Sequence, residues 1–279
     1  VLQHGGLVTG VSPEMDEFEA NFKKFTGAKH VIATGSGTHS LCLAYSAAGI
    51  GPGDEVITTS HTFVATIDQI KKIGATPILV DIDETGLIDP SLVRAAITPR
   101  TKAIVPVHLE GKVCDMTAIM DIAKKYNLIV IEDAAQAVGA THNGQHVGTI
   151  GLAGCFSFFP AKIMGSFGNA GAVITNDDSV AEKVRLMRSN GNIGKNPDLN
   201  APLGFNLEAD GLQCAILNVV MKHLPERLER RKEIAERYDS NFKDFLFNKP
   251  LKQEGRVYQD YVITFNSTKE RDNFAKHMK

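Results

Sequence analysis

The stretch DEVITTSHTFVATIDQIKKIGATPILVDI, residues 54–82, decides the fold class. It reads as a β-branched run, DEVITT (54–59), then helical periodicity over FVATIDQIKKIG (63–74), then a second apolar run, TPILVDI (76–82). Strands that are apolar throughout, alternating with helices, predict a parallel sheet covered on both faces. The alternation continues outward in both directions. Further strands are expected at HVIATG (30–35), KAIVPVH (102–108), LIVIED (128–133), AGCFSF (153–158) and GAVITN (171–176). Helices are expected at THSLCLAYSAAG (38–49), DPSLVRAAI (89–97) and DMTAIMDIAKKYN (115–127). Only a loop separates the last two strands, so one of them is expected to run antiparallel.

From about residue 208 the pattern changes. A long helical region breaks at Pro225, VYQDYVITFN (257–266) alternates like a strand, and TKERDNFAKHMK (268–279) resembles the start of a helix. This predicts a large domain over residues 1–222 and a smaller, incomplete α+β domain over 223–279.

The 279 residues carry a formal net charge of −2, which gives no reason to expect nucleic acid as a partner. No apolar stretch approaches the roughly 20 residues needed to cross a bilayer, and no secretory signal segment is expected. Cys42, Cys114, Cys155 and Cys214 are far apart and form no CxxC pair. They read as buried small hydrophobes in a reducing, cytoplasmic compartment. The chain begins at Val1 and ends within what reads as a domain, as a trimmed sequence would.

Several positions carry chemistry. Lys162, in CFSFFPAKIMG (155–165), follows an apolar strand and precedes a glycine turn, an unusual place for a lysine. Either it caps a strand or it holds an aldehyde cofactor as a Schiff base. Asp133 closes NLIVIEDAAQ (127–136), at the carboxyl end of a strand, where open α/β sheets place ligands. Beside a pyridine nitrogen it would keep that nitrogen protonated; alternatively it caps the following turn. Its neighbour Glu132 should point to the opposite face.

The turn ATGSGTHSL (33–41) joins the first strand to a helix, and small residues there let helix N-terminal amides approach a phosphate. A plain strand-to-helix turn is the equal alternative. The turn is neither a Walker loop nor GxGxxG, so a nucleoside triphosphate or a dinucleotide is not favoured. Ser157 can donate to the same phosphate or satisfy local backbone. Phe63 can stack on a flat cofactor or pack in the core, and His61 can stack in its place. HNGQH (142–146) reads as a surface hairpin before it reads as a metal site, because Asn-Gly is a strong turn signal and no third ligand is apparent.

Taken together these segments resemble the DegT/DnrJ/StrS-type aminotransferases, pyridoxal-phosphate enzymes of fold type I that mostly act on nucleotide-linked keto sugars. The resemblance runs in order through GLVTG (6–10), EFEANFKKFTGAKHVIATGSGTHSL, GDEVITTSHTFVATIDQIKKIGATPILVDID, VPVHLEGKVCDM, IEDAAQAVGA, FSFFPAK and GFNLEADGLQCAIL. It implies a seven-stranded sheet and pyridoxal 5'-phosphate as cofactor. By the same resemblance Lys162 corresponds to the Schiff-base lysine and Asp133 to the acid facing the pyridine nitrogen. Gln136 matches a glutamine near the ring, Phe63 the aromatic stacker, and Gly37, Thr38 and Ser157 phosphate-binding positions. Asn206 matches an asparagine that reaches the neighbouring subunit's cofactor phosphate, which implies a homodimer with shared active sites.

The implied reaction is amino transfer from an amino acid, with glutamate the expected donor, to a nucleotide-linked keto sugar. The related dehydratases carry histidine at the Schiff-base position, so Lys162 argues against that branch. Another fold-type-I activity, such as elimination, and a catalytically silent regulatory protein are the remaining alternatives. A nicotinamide oxidoreductase lacks its glycine fingerprint here. The chain departs from the family pattern at KIMG (162–165), GNAG (168–171), RSNG (188–191) and LEADGLQ (207–213), which puts the identity of the sugar in doubt.

Overall fold

The computed structural model describes residues 12–191, 204–242, 247–250 and 252–278. The GLVTG segment lies outside them. Seven strands form the main sheet: β1 (His30–Thr34), β2 (Glu55–Thr59), β3 (Thr76–Val80), β4 (Thr101–Ile104), β5 (Ile129–Asp133), β6 (Ala153–Ser157) and β7 (Gly171–Thr175). Their spatial order is β1-β7-β6-β5-β4-β2-β3. Strand β7 pairs antiparallel with both β1 and β6, and every other pairing is parallel. The antiparallel member is therefore the second of the two loop-joined runs. Strand β4 ends earlier than its apolar run because Pro106 has no N–H to give the ladder.

The helices are α1 (Pro13–Thr26), α2 (Gly37–Ala47), α3 (Ala65–Lys72), α4 (Pro90–Ala95), α5 (Met116–Tyr126), α6 (Asp178–Arg188), α7 (Gly211–Lys222), α8 (Leu224–Asn241) and α9 (Thr268–His277). Local chemistry sets their ends. Ser12 caps α1 by accepting from Met15 N, and Gly27 closes it at φ 74°. The break between α7 and α8 falls at His223, two residues before Pro225, which sits in the first turn of α8 where a missing N–H costs nothing.

Burial is nearly continuous along β1, β2, β5, β6 and β7, and successive residues face different cores, so both faces are covered. Phe156, Ala172 and Ile174 face one core with Phe18, Phe22 and Leu217, whereas Cys155 and Val173 face another with Leu41, Tyr45 and Val184. On the first face Phe158 meets Phe18 and Phe22 edge-on, with centroids 5.4 and 5.3 Å apart. The four cysteines are buried and carry free thiols. Among the described residues no helix is long and apolar enough to cross a membrane.

One expectation fails. Residues 257–266 form no strand; apart from a bridge between Asn248 and Thr264, the segment pairs through loops and side chains. Val257 N donates to Gly111 O, and Arg231 Nη1 donates to the carbonyls of Tyr258 and Gln259. Half-buried and exposed side chains do alternate over 259–266, but among the described residues no neighbouring strand supplies a ladder. The HNGQH hairpin forms as expected, with Asn143 at φ 51° and Gly144 at φ 80°, the left-handed pair of a tight turn. Its two imidazoles diverge: His142 bonds Thr117, while His146 is buried against the backbone of Val147 and Gly139.

Candidate active site

Because six strands share one direction, their carboxyl ends meet at one edge of the sheet. A cavity of about 420 Å³ opens there. It collects Gly37, Thr38, Phe63, Asp133, Gln136, Ser157 and Lys162 from separate strand ends, together with Asn169. Asn206 is not among its lining residues. It is exposed and bridges Ser189 instead.

Asp133, the last residue of β5, is buried. Its Oδ2 accepts from Thr66 Oγ1 at 2.7 Å and its Oδ1 from Ala135 N at 3.2 Å. The second bond is the local turn-capping role, so both readings of this residue coexist. Burial pushes the carboxyl above its ordinary range, and the bonds from Thr66 and Ala135 and the charge of Lys162 oppose that push. Glu132 points to the other face, as alternation requires. It accepts from the amides of Gly148, Ile150 and Gly151 and pairs with His108 Nε2 at 3.0 Å. The Cys114 amide donates to His108 Nδ1, which leaves the proton of that ring on Nε2, facing Glu132.

Lys162 sits in a compact turn. Its N–H donates to Phe159 O at 2.8 Å, and Ser166 bonds Phe158 O through both backbone and hydroxyl. A Cβ at Gly165 would come within 2.4 Å of Pro160 O, so the turn requires glycine there. Burial holds the Lys162 amine below the usual lysine range, against the charges of Asp133 and Asp260. A lysine so placed is a neutral amine more often than an exposed one, which is what a nucleophile or proton carrier needs.

The turn before α2 brings backbone against backbone. A Cβ at Gly37 would lie 2.7 Å from Ser157 Cβ. Ser36 caps the helix by accepting from His39 N at 3.1 Å. The helix thus presents its first amides beside the Ser157 hydroxyl, a cradle suited to a phosphate. Phe63 is 67% exposed, so it is not core packing. His61 bonds Gly86 O and is not among the cavity's lining residues. Gln136 lines the cavity while its Oε1 accepts from Glu110 N at 2.8 Å. The donor set of amine, buried carboxylate, aromatic face and amide cradle fits a flat, phosphorylated, aldehyde-bearing ring.

Sequence reasoning missed Thr66 and Ser36. Thr66 lies in the first turn of α3, where a threonine has many ordinary uses and carries no signal of its own. Ser36 carried the ordinary helix-cap signal.

A family model described as the DegT/DnrJ/EryC1/StrS aminotransferase family matches residues 1–279. The chain is 45% identical over 266 residues to a pleiotropic regulatory protein of Geobacillus stearothermophilus, covering 93% of this chain and 71% of that protein. It is 40% identical over 270 residues to UDP-2-acetamido-2-deoxy-3-oxo-D-glucuronate aminotransferase of Pseudomonas aeruginosa, covering 96% and 74%. Its structure resembles that of S. venezuelae DesV in complex with a ketimine intermediate, with a TM-score of 0.93 and 35% identity over 99% of this chain and 75% of that one.

Proposed function

This chain belongs to the DegT/DnrJ/EryC1/StrS aminotransferase family, and from that premise we propose that it moves an amino group from an amino acid to a nucleotide-linked keto sugar. Relatives at 37–42% identity carry the names of transaminases and aminotransferases of nucleotide-linked sugars. The observation that carries the reading for this chain is the meeting of Lys162, Asp133 and the Gly37–Ser157 cradle in one cavity.

We assign pyridoxal 5'-phosphate as the cofactor. When bound, it supplies the electron sink that lets a proton leave the carbon bearing nitrogen. Lys162 would hold it through Nζ and, once freed by the amino donor, carry the proton between substrate and cofactor carbons. Its lowered basicity suits both tasks. Asp133 would keep a proton on the ring nitrogen, and Thr66 steadies that carboxylate. Gly37, Thr38 and Ser157 would hold the phosphate, Phe63 would cover one ring face, and Gln136 would stand near the ring.

Glutamate is the proposed donor. The active unit is proposed to be a homodimer in which Asn206 serves the partner's cofactor phosphate, in keeping with its exposure. Residues 1–222 are assigned to the cofactor-binding domain and 223–279 to the beginning of a smaller one, in a cytoplasmic enzyme.

A regulatory role is the alternative favoured by the name of the Geobacillus relative. One half-reaction separates the two. Protein loaded with pyridoxal phosphate should show a visible absorption band that glutamate abolishes with release of 2-oxoglutarate. Lys162→Ala should lack the band. A Lys162→Ala protein that turns over at the wild-type rate sinks the proposal, and a band unaffected by any amino donor favours the regulatory role.

A further inference from the structure

Residues 253–260 lie across the loops at the carboxyl edge of the sheet as a strap that opens on a turn at Gly255, φ 72°, and makes its contacts through Gln253, Gly255, Val257 and Gln259. Gln253 grips Val113 with both ends of its amide: Val113 N donates to Oε1 at 2.8 Å and Nε2 donates to Val113 O at 2.5 Å. Gly255 O accepts from Thr141 N at 2.9 Å, and a Cβ at Gly255 would come within 1.9 Å of Thr141 O. Val257 N donates to Gly111 O at 2.9 Å. Gln259 completes the series: Ile163 N donates to its Oε1 at 3.0 Å, and its Nε2 donates to Ala161 O at 3.1 Å. Each glutamine amide thus stands where the peptide group of a neighbouring strand would stand.

Ala161 and Ile163 flank Lys162. Gln259 therefore holds one peptide group on each side of the lysine, and the other described backbone bond of Lys162 is the local one to Phe159. From the other side, Arg231 on α8 fixes the strap by donating to Tyr258 O at 2.8 Å and Gln259 O at 3.2 Å. Lys162, Gln259 and Asp260 also line a common groove beside α8. The charged groups acting on the Lys162 amine are Asp133 from β5 and Asp260 from the strap.

We propose that Gln259 is the positioning residue for Lys162: by clamping the peptide groups on either side, it sets the depth at which the amine stands between solvent and Asp133. Releasing the clamp lets the turn relax outward, where water solvates the charged amine and its basicity returns toward that of an ordinary lysine. The consequence for amino transfer rests on the reading of Lys162 as the cofactor-bearing lysine; the effect on the amine itself does not.

The test compares Gln259→Met with Gln253→Met in the full-length chain. The two variants remove the same bidentate grip from the same strap, but only one grip touches the lysine turn. Lys162 is labelled with an amine-selective reagent across pH, without added cofactor, and the modification is read by peptide mass spectrometry. The labelling midpoint of Gln259→Met is expected to rise by about half to one pH unit, while that of Gln253→Met stays with wild type and both lose similar melting temperature. With pyridoxal phosphate added, the pH titration of the visible band should shift in Gln259→Met alone. An unchanged Lys162 midpoint in Gln259→Met, or an equal shift in Gln253→Met, overturns the proposal. If Gln259→Met does not accumulate as folded protein, Gln259→Asn is read in its place, with the same shift expected and an unchanged midpoint again overturning it. A wild-type protein that shows no visible band speaks against the cofactor reading and leaves the labelling comparison intact.

Discussion

The hydroxyl of Thr66 donates to Asp133 Oδ2 at 2.7 Å, joining the first turn of one helix to the end of a strand 67 residues away in sequence. The bond matters because Asp133 is buried and its charge is disfavoured there. Thr66 is the principal group opposing that burial. Thr66→Val keeps the shape and removes the donor, so the Asp133 carboxyl should rise further. If the ionised carboxylate is the working form, the acid limb of kcat/KM against pH moves to higher pH. Activity at neutral pH should fall about tenfold, the worth of one hydrogen bond to a charged group. Thr66→Ser should restore the wild-type limb.

The contact between Gly37 and Ser157 is a second test of the cradle. Gly37→Ala places a methyl group 2.7 Å from Ser157 Cβ. Overpacking of this kind costs about 1–3 kcal/mol. If the cradle holds a cofactor phosphate, as proposed, affinity for pyridoxal phosphate should fall by at least about tenfold, because that binding would need the same close approach. Ser157→Gly in the same chain relieves the clash, so the double variant should regain melting temperature while cofactor affinity stays low. Thermal unfolding and absorbance titration with pyridoxal phosphate check the two halves separately.

Phe63 separates function from stability. At 67% exposure the ring contributes little to the core. Phe63→Ala should change stability by less than about 0.5 kcal/mol, as exposed substitutions do. If the ring covers a bound cofactor, its removal should weaken cofactor retention several-fold, measured by dialysis and residual absorbance. Equal retention in the variant would remove Phe63 from the site.

Glu132 should behave in the opposite way. Burial opposes its charge, but His108 and the amides of Gly151 and Gly148 outweigh that and hold the carboxyl below its ordinary range. A depressed carboxyl contributes stability above the unfolded pKa and loses it as pH falls through the folded one. Glu132→Gln turns an amide NH2 toward groups that already donate, and should cost about 3–5 kcal/mol at neutral pH. The melting-temperature gap to wild type should narrow as pH falls below the ordinary carboxylate range. A constant gap would mean that packing, not charge, sets the loss.

Much of this was legible before folding is considered. The apolar runs marked all seven strands to within a few residues; most are covered on both faces and have no polar side to blur the pattern, and the partly exposed edge strand β3 is apolar all the same. The odd lysine after β6 and the acid closing β5 stood out for a related reason: a charge at the end of an apolar run needs a partner or a ligand. Thr66 did not stand out, because a threonine in a first turn has many ordinary uses and its partner lies on another strand. The amides around Glu132 left no trace either, since backbone groups look alike in every sequence.

Residues 257–266 mark the boundary between the two kinds of information. The alternation read in the sequence survives over 259–266 as half-buried and exposed side chains in turn, although no strand forms there. It did not determine what would satisfy the backbone, and the tertiary structure gave that task to the carbonyl of Gly111, to Arg231 and to a bridge with Asn248. The same division holds for the site. Residue types and element order were decided locally, by periodicity, glycine and proline. The convergence of Gly37, Phe63, Asp133 and Lys162 was decided by the sheet, whose parallel strands deliver their carboxyl ends to one edge.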